Sequence, residues 1–151
     1  MWLILKLVIS IILSARAVVP EIAVPEPTPV VTGQGEAGQV QQRVNALRAE
    51  HGLSPLSWDS RLAEVAGIRS EQVLTHAAHE NYVQLAAERG ILDGYLGENI
   101  AITWSIDRAW ENWLNSPSHY ALMLDPDWQR VGVYVRPIPG GVSIVAIFRQ
   151  D

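Results

Sequence analysis

The segment Val142-Ser143-Ile144-Val145-Ala146-Ile147-Phe148 is apolar at every position but Ser143. A strand with one wet face alternates polar and apolar side chains, so an unbroken run of this kind belongs to a strand covered on both sides. It predicts the centre of a sheet with helices flanking it. A second run, Val131-Gly132-Val133-Tyr134-Val135, precedes it, and Pro137, Pro139, Gly140 and Gly141 between the two predict a hairpin.

The first half of the chain supplies the helices. Val40, Val44 and Leu47 form the stripe of a helix over Gln39 to His51, with Gly52 as a left-handed stop. Asp59 is placed to cap a second helix running to about Leu74, whose Leu62, Val65, Ala66, Arg69 and Val73 share a face. A third begins near Glu80, turns Tyr82, Leu85 and Ala86 inward, and ends at Arg89-Gly90. Asn99 to Thr103 reads as a short strand. Ser105 then caps a helix with Ala109, Trp110, Trp113 and Leu114 toward the core, until Pro117 interrupts the hydrogen bonding. Trp58, Trp110, Trp113 and Trp128 are expected in the core or at its edges, and Trp104 at an exposed rim. Arg61, Arg69, Arg89 and Arg108 read as solvated faces or ion pairs.

Composition narrows the function. The 151 residues suit one domain, and a net charge of -5 provides no basic face for nucleic acid or an anionic membrane. No cysteine is present, which removes disulfides, thiol nucleophiles and thiolate-ligated metals. Residues 1–17 read as a signal peptide: Trp2 to Leu13 is nearly all apolar, and Ser14-Ala15-Arg16-Ala17 has the small-x-small pattern cut by a signal peptidase. Residues 18–38, with Pro20, Pro25, Pro27 and Pro29 and then Gly33 to Gly38, read as a linker. The folded domain is expected over 39–151. The expected location is extracellular, or the outer face of a membrane if the N-terminal segment is retained.

The chemistry-bearing residues concentrate between Gly97 and Leu124. Glu98 opens that stretch in Gly97-Glu98-Asn99-Ile100-Ala101 and His119 closes it, so the two are expected to converge on one cleft. There is no phosphate-cradling glycine loop, so no nucleotide is expected, and no Gly-x-Ser-x-Gly elbow for a serine hydrolase.

Several segments resemble the CAP superfamily (cysteine-rich secretory proteins, antigen 5, pathogenesis-related proteins), in the cysteine-free form common in secreted bacterial proteins. They are Val44 to Leu53 with Pro55-Leu56 and Trp58-Asp59, Gly97 to Ala101, Trp113 to His119, and Val131-Gly132-Val133. The resemblance implies a three-layer α/β/α sandwich with a mostly antiparallel central sheet. It also implies a cleft of two histidines and two glutamates, which in some members holds a divalent metal. His119 matches the second histidine and Glu98 the glutamate of the Gly-Glu-Asn motif. His76 is the better match for the first histidine, with His79 its competitor. Where the second glutamate would stand, three residues after Trp113, the chain has Ser116; Glu111, two residues before Trp113, points elsewhere on a helix.

The resulting expectation is a reduced cleft of His76, Glu98, Ser116 and His119. Two imidazoles with a carboxylate or water can form an open zinc site, which makes His76 and His119 the candidate ligands of zinc or another divalent metal. The plainer alternative is that the histidines hydrogen-bond across a polar cleft while Glu98 ties down a loop. The expected function is a secreted binding module for a metal, a small lipid, a peptide or a cell-envelope component. Its alternative is a metal-assisted hydrolase, with Glu98 as the catalytic base.

Overall fold

The computed structural model describes residues 30 and 32–151. The signal-peptide expectation and most of the linker lie outside the described residues.

The apolar run becomes β4 (Gly141–Gln150), and it is central as its composition requires. It pairs antiparallel on one side with β3 (Arg130–Ile138) and on the other with β2 (Tyr95–Thr103). Beyond β3, the two-residue strand β1 (Ser57–Trp58) pairs parallel to it, giving the order β1-β3-β4-β2. The sheet is therefore mostly antiparallel, with one parallel edge. Ile138 pairs with Gly141, so Pro139 and Gly140 alone make the hairpin turn, and Gly140 takes φ +78°, where a side chain would be strained.

Successive β4 side chains feed opposite layers. Ile144, Ala146 and Phe148 pack with Val40, Val44 and Leu47 of α1 (Gly35–Glu50), Ala109 and Trp113 of α4 (Ile106–Leu114), and Met123 of α5 (Pro117–Met123). Val145 and Ile147 pack with Leu62, Val65 and Ala66 of α2 (Ser60–Gln72) and Ala86 of α3 (Tyr82–Glu88). The result is a three-layer α/β/α sandwich. Gly132 lets α2 lie on the sheet, since a Cβ there would run into the backbone of Leu62 and Ala63.

The expected caps form. Asp59 Oδ1 accepts from the amides of Arg61 and Leu62 at 2.9 and 3.3 Å, and Ser105 Oγ accepts from the Arg108 amide at 3.1 Å. Three local readings change. Gly35 to Gly38, expected as flexible linker, are the first residues of α1; Gly38 packs against the Gly33 backbone, whose amide donates to Gln41 Oε1 at 2.7 Å. The strand expected over Asn99 to Thr103 begins at Tyr95, because β4 offers backbone partners along its whole length. Pro117 also starts a helix, occupying the first position of α5, where a missing N–H leaves no bond unmade.

Of the tryptophans, Trp113 and Trp128 are buried, and their indole N–H groups donate to Ile100 O at 3.0 Å and Leu122 O at 2.8 Å. Trp58 and Trp110 lie partly buried against the same core. Trp104 is exposed as expected, with the Arg108 guanidinium over its ring. Arg48 is wholly buried and donates to the carbonyls of Ser54, Met123 and Asp125, tying α1 to the turn after α5.

Candidate functional site

Strand register decides which layer each β2 side chain meets. Glu98 lies opposite Ile147 and so shares its face, toward α2. Asn99 lies opposite Ala146 and faces α5. β2 is an edge strand, and residues from both helical layers meet around it.

On the α2 side, Glu98 meets Arg69. Arg69 Nε donates to Glu98 Oε2 at 2.7 Å and Nη2 to Oε1 at 3.1 Å, with both side chains almost fully buried. The same guanidinium donates to Gln72 Oε1 at 3.1 Å and to the carbonyl of Ala78. That last bond anchors the loop after α2, and the loop presents His79. His79 Nδ1 stands 3.1 Å from Glu98 Oε1; a carboxylate only accepts, so this ring nitrogen carries the proton and donates. On the other side, Asn99 Nδ2 donates to the carbonyl of His119 at 3.1 Å, fixing the first turn of α5 against the strand.

His79, Glu98 and His119 line one cleft of about 300 Å³, with Ser118 at its rim and Tyr82, Leu96 and Leu122 as partly apolar walls. A second hollow of about 280 Å³ continues along β2 past Ile100 and Ile102, and both imidazoles border it too. Burial, and secondarily the neighbouring His79, push the His119 imidazole below its ordinary range. The Tyr82 phenol is pushed up, first by burial and then by Glu98, with Arg69 opposing.

Two expected members lie elsewhere. His76 is 72% exposed, with Nε2 3.5 Å from Glu80, and does not border the cleft. The loop after α2 turns between the two histidines, and the bond from Arg69 to Ala78 brings His79 inward instead. Ser116 precedes α5, with Oγ 3.3 Å from that of Ser118, and it is Ser118 that borders the cleft. Glu111 pairs with Arg108 at 3.0 Å on an exposed helix face. Glu98 borders the cleft, and its oxygens accept three hydrogen bonds, two from Arg69 and one from His79.

Arg69 is the residue whose role the sequence reading missed. Its signal was a charged residue on an otherwise apolar helix face.

These residues do not fit a zinc centre held by protein side chains. With His76 outside, the imidazoles of His79 and His119 remain, and the nearby carboxylate is engaged by a guanidinium whose positive charge opposes a cation. Among the described residues, no group of three His, Cys, Asp or Glu side chains is arranged to hold a metal ion.

Comparisons with known proteins agree with this architecture. A relative in Bacillus subtilis (strain 168), the membrane protein YlbC, is 33% identical over 106 residues, covering 64% of this chain. The chain spans only 30% of that relative's length. Among solved structures, an outer surface protein of Borrelia burgdorferi superposes with a TM-score of 0.66 at 20% identity, over 74% of this chain and 90% of the other. An extracellular protein containing an SCP domain from Bacillus anthracis superposes with a TM-score of 0.61 at 23% identity, over 75% of this chain and 39% of the other. These superpositions carry the fold. Among the described residues, no helix is long and apolar enough to cross a membrane. Residues 41–148, a span holding Arg69, Glu98, both cleft histidines and all of the sheet but the end of β4, match the family model for CAP, and the chain belongs to this cysteine-rich secretory protein family.

Proposed function

We propose that this protein is an extracellular binding module whose cleft between the loop after α2 and the start of α5 holds a small ligand, such as part of a lipid, a peptide or a cell-envelope component, without turning it over. The observation that carries this reading is the state of Glu98. The cleft offers two imidazoles and partly apolar walls to a ligand, while its buried carboxylate is committed to Arg69 and His79. Recognition needs such pre-placed polar groups in an apolar-walled hollow. Glu98 as a general base would need a lone pair of that carboxylate free and aimed at the reacting proton. An extracellular setting accords with the extracellular and outer-surface descriptions of the B. anthracis and Borrelia proteins.

The test has two arms on the purified chain. Ligand-induced changes in the ring signals of His79 and His119 are followed by NMR, and hydrolysis of peptide and ester libraries is assayed in parallel. Ring shifts with no turnover are the expected result. Turnover that disappears in Glu98→Gln would replace this reading with the hydrolase one.

A further inference from the structure

We infer that Arg69, acting through Glu98, holds the two cleft imidazoles in opposite tautomers, so that the cleft pairs an acceptor with a donor and takes an uncharged amide or hydroxyl group in preference to a carboxylate. This rests on the binding reading above and gives it a ligand chemistry.

The first tautomer follows from His79 Nδ1, which faces a carboxylate oxygen at 3.1 Å and must hold a proton. Arg69 meets the charge of Glu98 with two N–H donors, so Glu98 acts on His79 as an acceptor whose charge is already balanced. In this tautomer the lone pair is on Nε2, on the far side of the ring from Glu98, and the ring borders both hollows.

The second tautomer follows from burial. His119 Nδ1 is buried with no hydrogen-bond partner. An orphaned buried N–H is among the rarest features of folded proteins, and an under-satisfied acceptor is better tolerated. The proton is therefore on Nε2, the nitrogen left to the cleft. Burial, the larger cause of its lowered protonation, also keeps this ring neutral.

A ligand group facing this pair must donate to His79 and accept from His119. An amide or a hydroxyl does both. A carboxylate only accepts and would set its charge against the His79 lone pair.

The experiment uses the whole chain labelled with ¹⁵N-histidine, studied at about pH 7.5, above the usual imidazole range. Long-range ¹H–¹⁵N correlations should show His79 protonated at Nδ1 and His119 at Nε2. Hexanamide and 1-hexanol, the amide and hydroxyl probes, should both shift the two ring systems, with hexanoate about tenfold weaker. In Arg69→Gln, the unbalanced charge of Glu98 should leave His79 Nε2 protonated as well and bring hexanoate level with or ahead of hexanamide. In the near-isosteric Glu98→Gln, a second variant should Arg69→Gln not fold, His79 should lose its single tautomer while His119 keeps its own.

The opposite tautomer at either ring, or hexanoate binding the parent as tightly as hexanamide, overturns the inference. An unchanged His79 in both folded variants overturns the positioning role of Arg69. No ring shift from any probe, with both tautomers as stated, overturns the binding reading and its ligand preference but leaves the tautomer assignment standing.

Discussion

Arg69 and Glu98, 29 residues apart in the chain, meet through two hydrogen bonds of 2.7 and 3.1 Å inside the layer between α2 and the sheet edge. Removing one partner strands a buried charge, so Arg69→Met and Glu98→Leu should each lower stability by about 3–5 kcal/mol in denaturant unfolding. The double variant should lose less than either single change. A double variant as unstable as the sum of the two would show that the residues act independently.

His119 gives the stability a definite pH dependence. Its folded-state protonation is depressed below the ordinary value of 6.5, mainly by burial, so the unfolded chain binds the proton more readily. The contribution is fully present above that value and is lost as the pH falls from about 6.5 through the lower folded value. His119→Gln should flatten the fall in Tm between about pH 7 and pH 5. An unchanged slope would place the titrating group elsewhere.

Trp113 fills the core beneath β2 and donates its indole N–H to Ile100 O at 3.0 Å. Trp113→Phe should cost about 1–3 kcal/mol through the orphaned carbonyl. Trp113→Ala should cost about 3–5 kcal/mol, since a large cavity opens as well. Equal losses in urea titration would mean that packing volume matters little at this position.

Two glycine replacements should act in opposite directions. Gly132→Ala forces a methyl into the α2 backbone and should lose about 1–3 kcal/mol. Gly67→Ala, inside α2, brings its methyl to 3.3 Å from the half-exposed ring of Tyr134, which has solvent to shift into, and should gain about 0.5–1 kcal/mol from helix propensity. Thermal unfolding of both against the parent decides this.

Chelation should leave the fold untouched. With no fitting donor set at the cleft, EDTA treatment should not change Tm, and His76→Ala should leave the ring signals of His119 as they are, whereas His79→Ala should shift them. A Tm lowered by several degrees in EDTA would point to a structural ion.

The sheet was legible because burial on both faces leaves β4 nearly no room for polar side chains, and its alternating layers then follow from strand geometry. Pro117 was harder to read, since proline both ends a helix and begins one, and only the following residues decide. Glu98 and His119 lie on regular elements, whose pattern carries them to one cleft. His76 and His79 sit on a loop without periodicity, where the choice depends on a bond between Arg69 and the Ala78 carbonyl. The burial of Arg69 was hidden for a related reason: a charge on an inward face can reach solvent along its own stem, and only the register of β2 shows that Glu98 waits there instead.

The position of β4 also sets the order in which the chain can fold. It follows every other described element, yet both helical layers close on it. During synthesis, α1 to β3 emerge with their apolar faces uncovered, and neither core can be completed until residues 141–150 have left the ribosome. Folding is thereby held back until the whole domain is available, which leaves an interval in which the chain is still open to handling by other proteins. Truncation within β4 should abolish cooperative unfolding in both layers together.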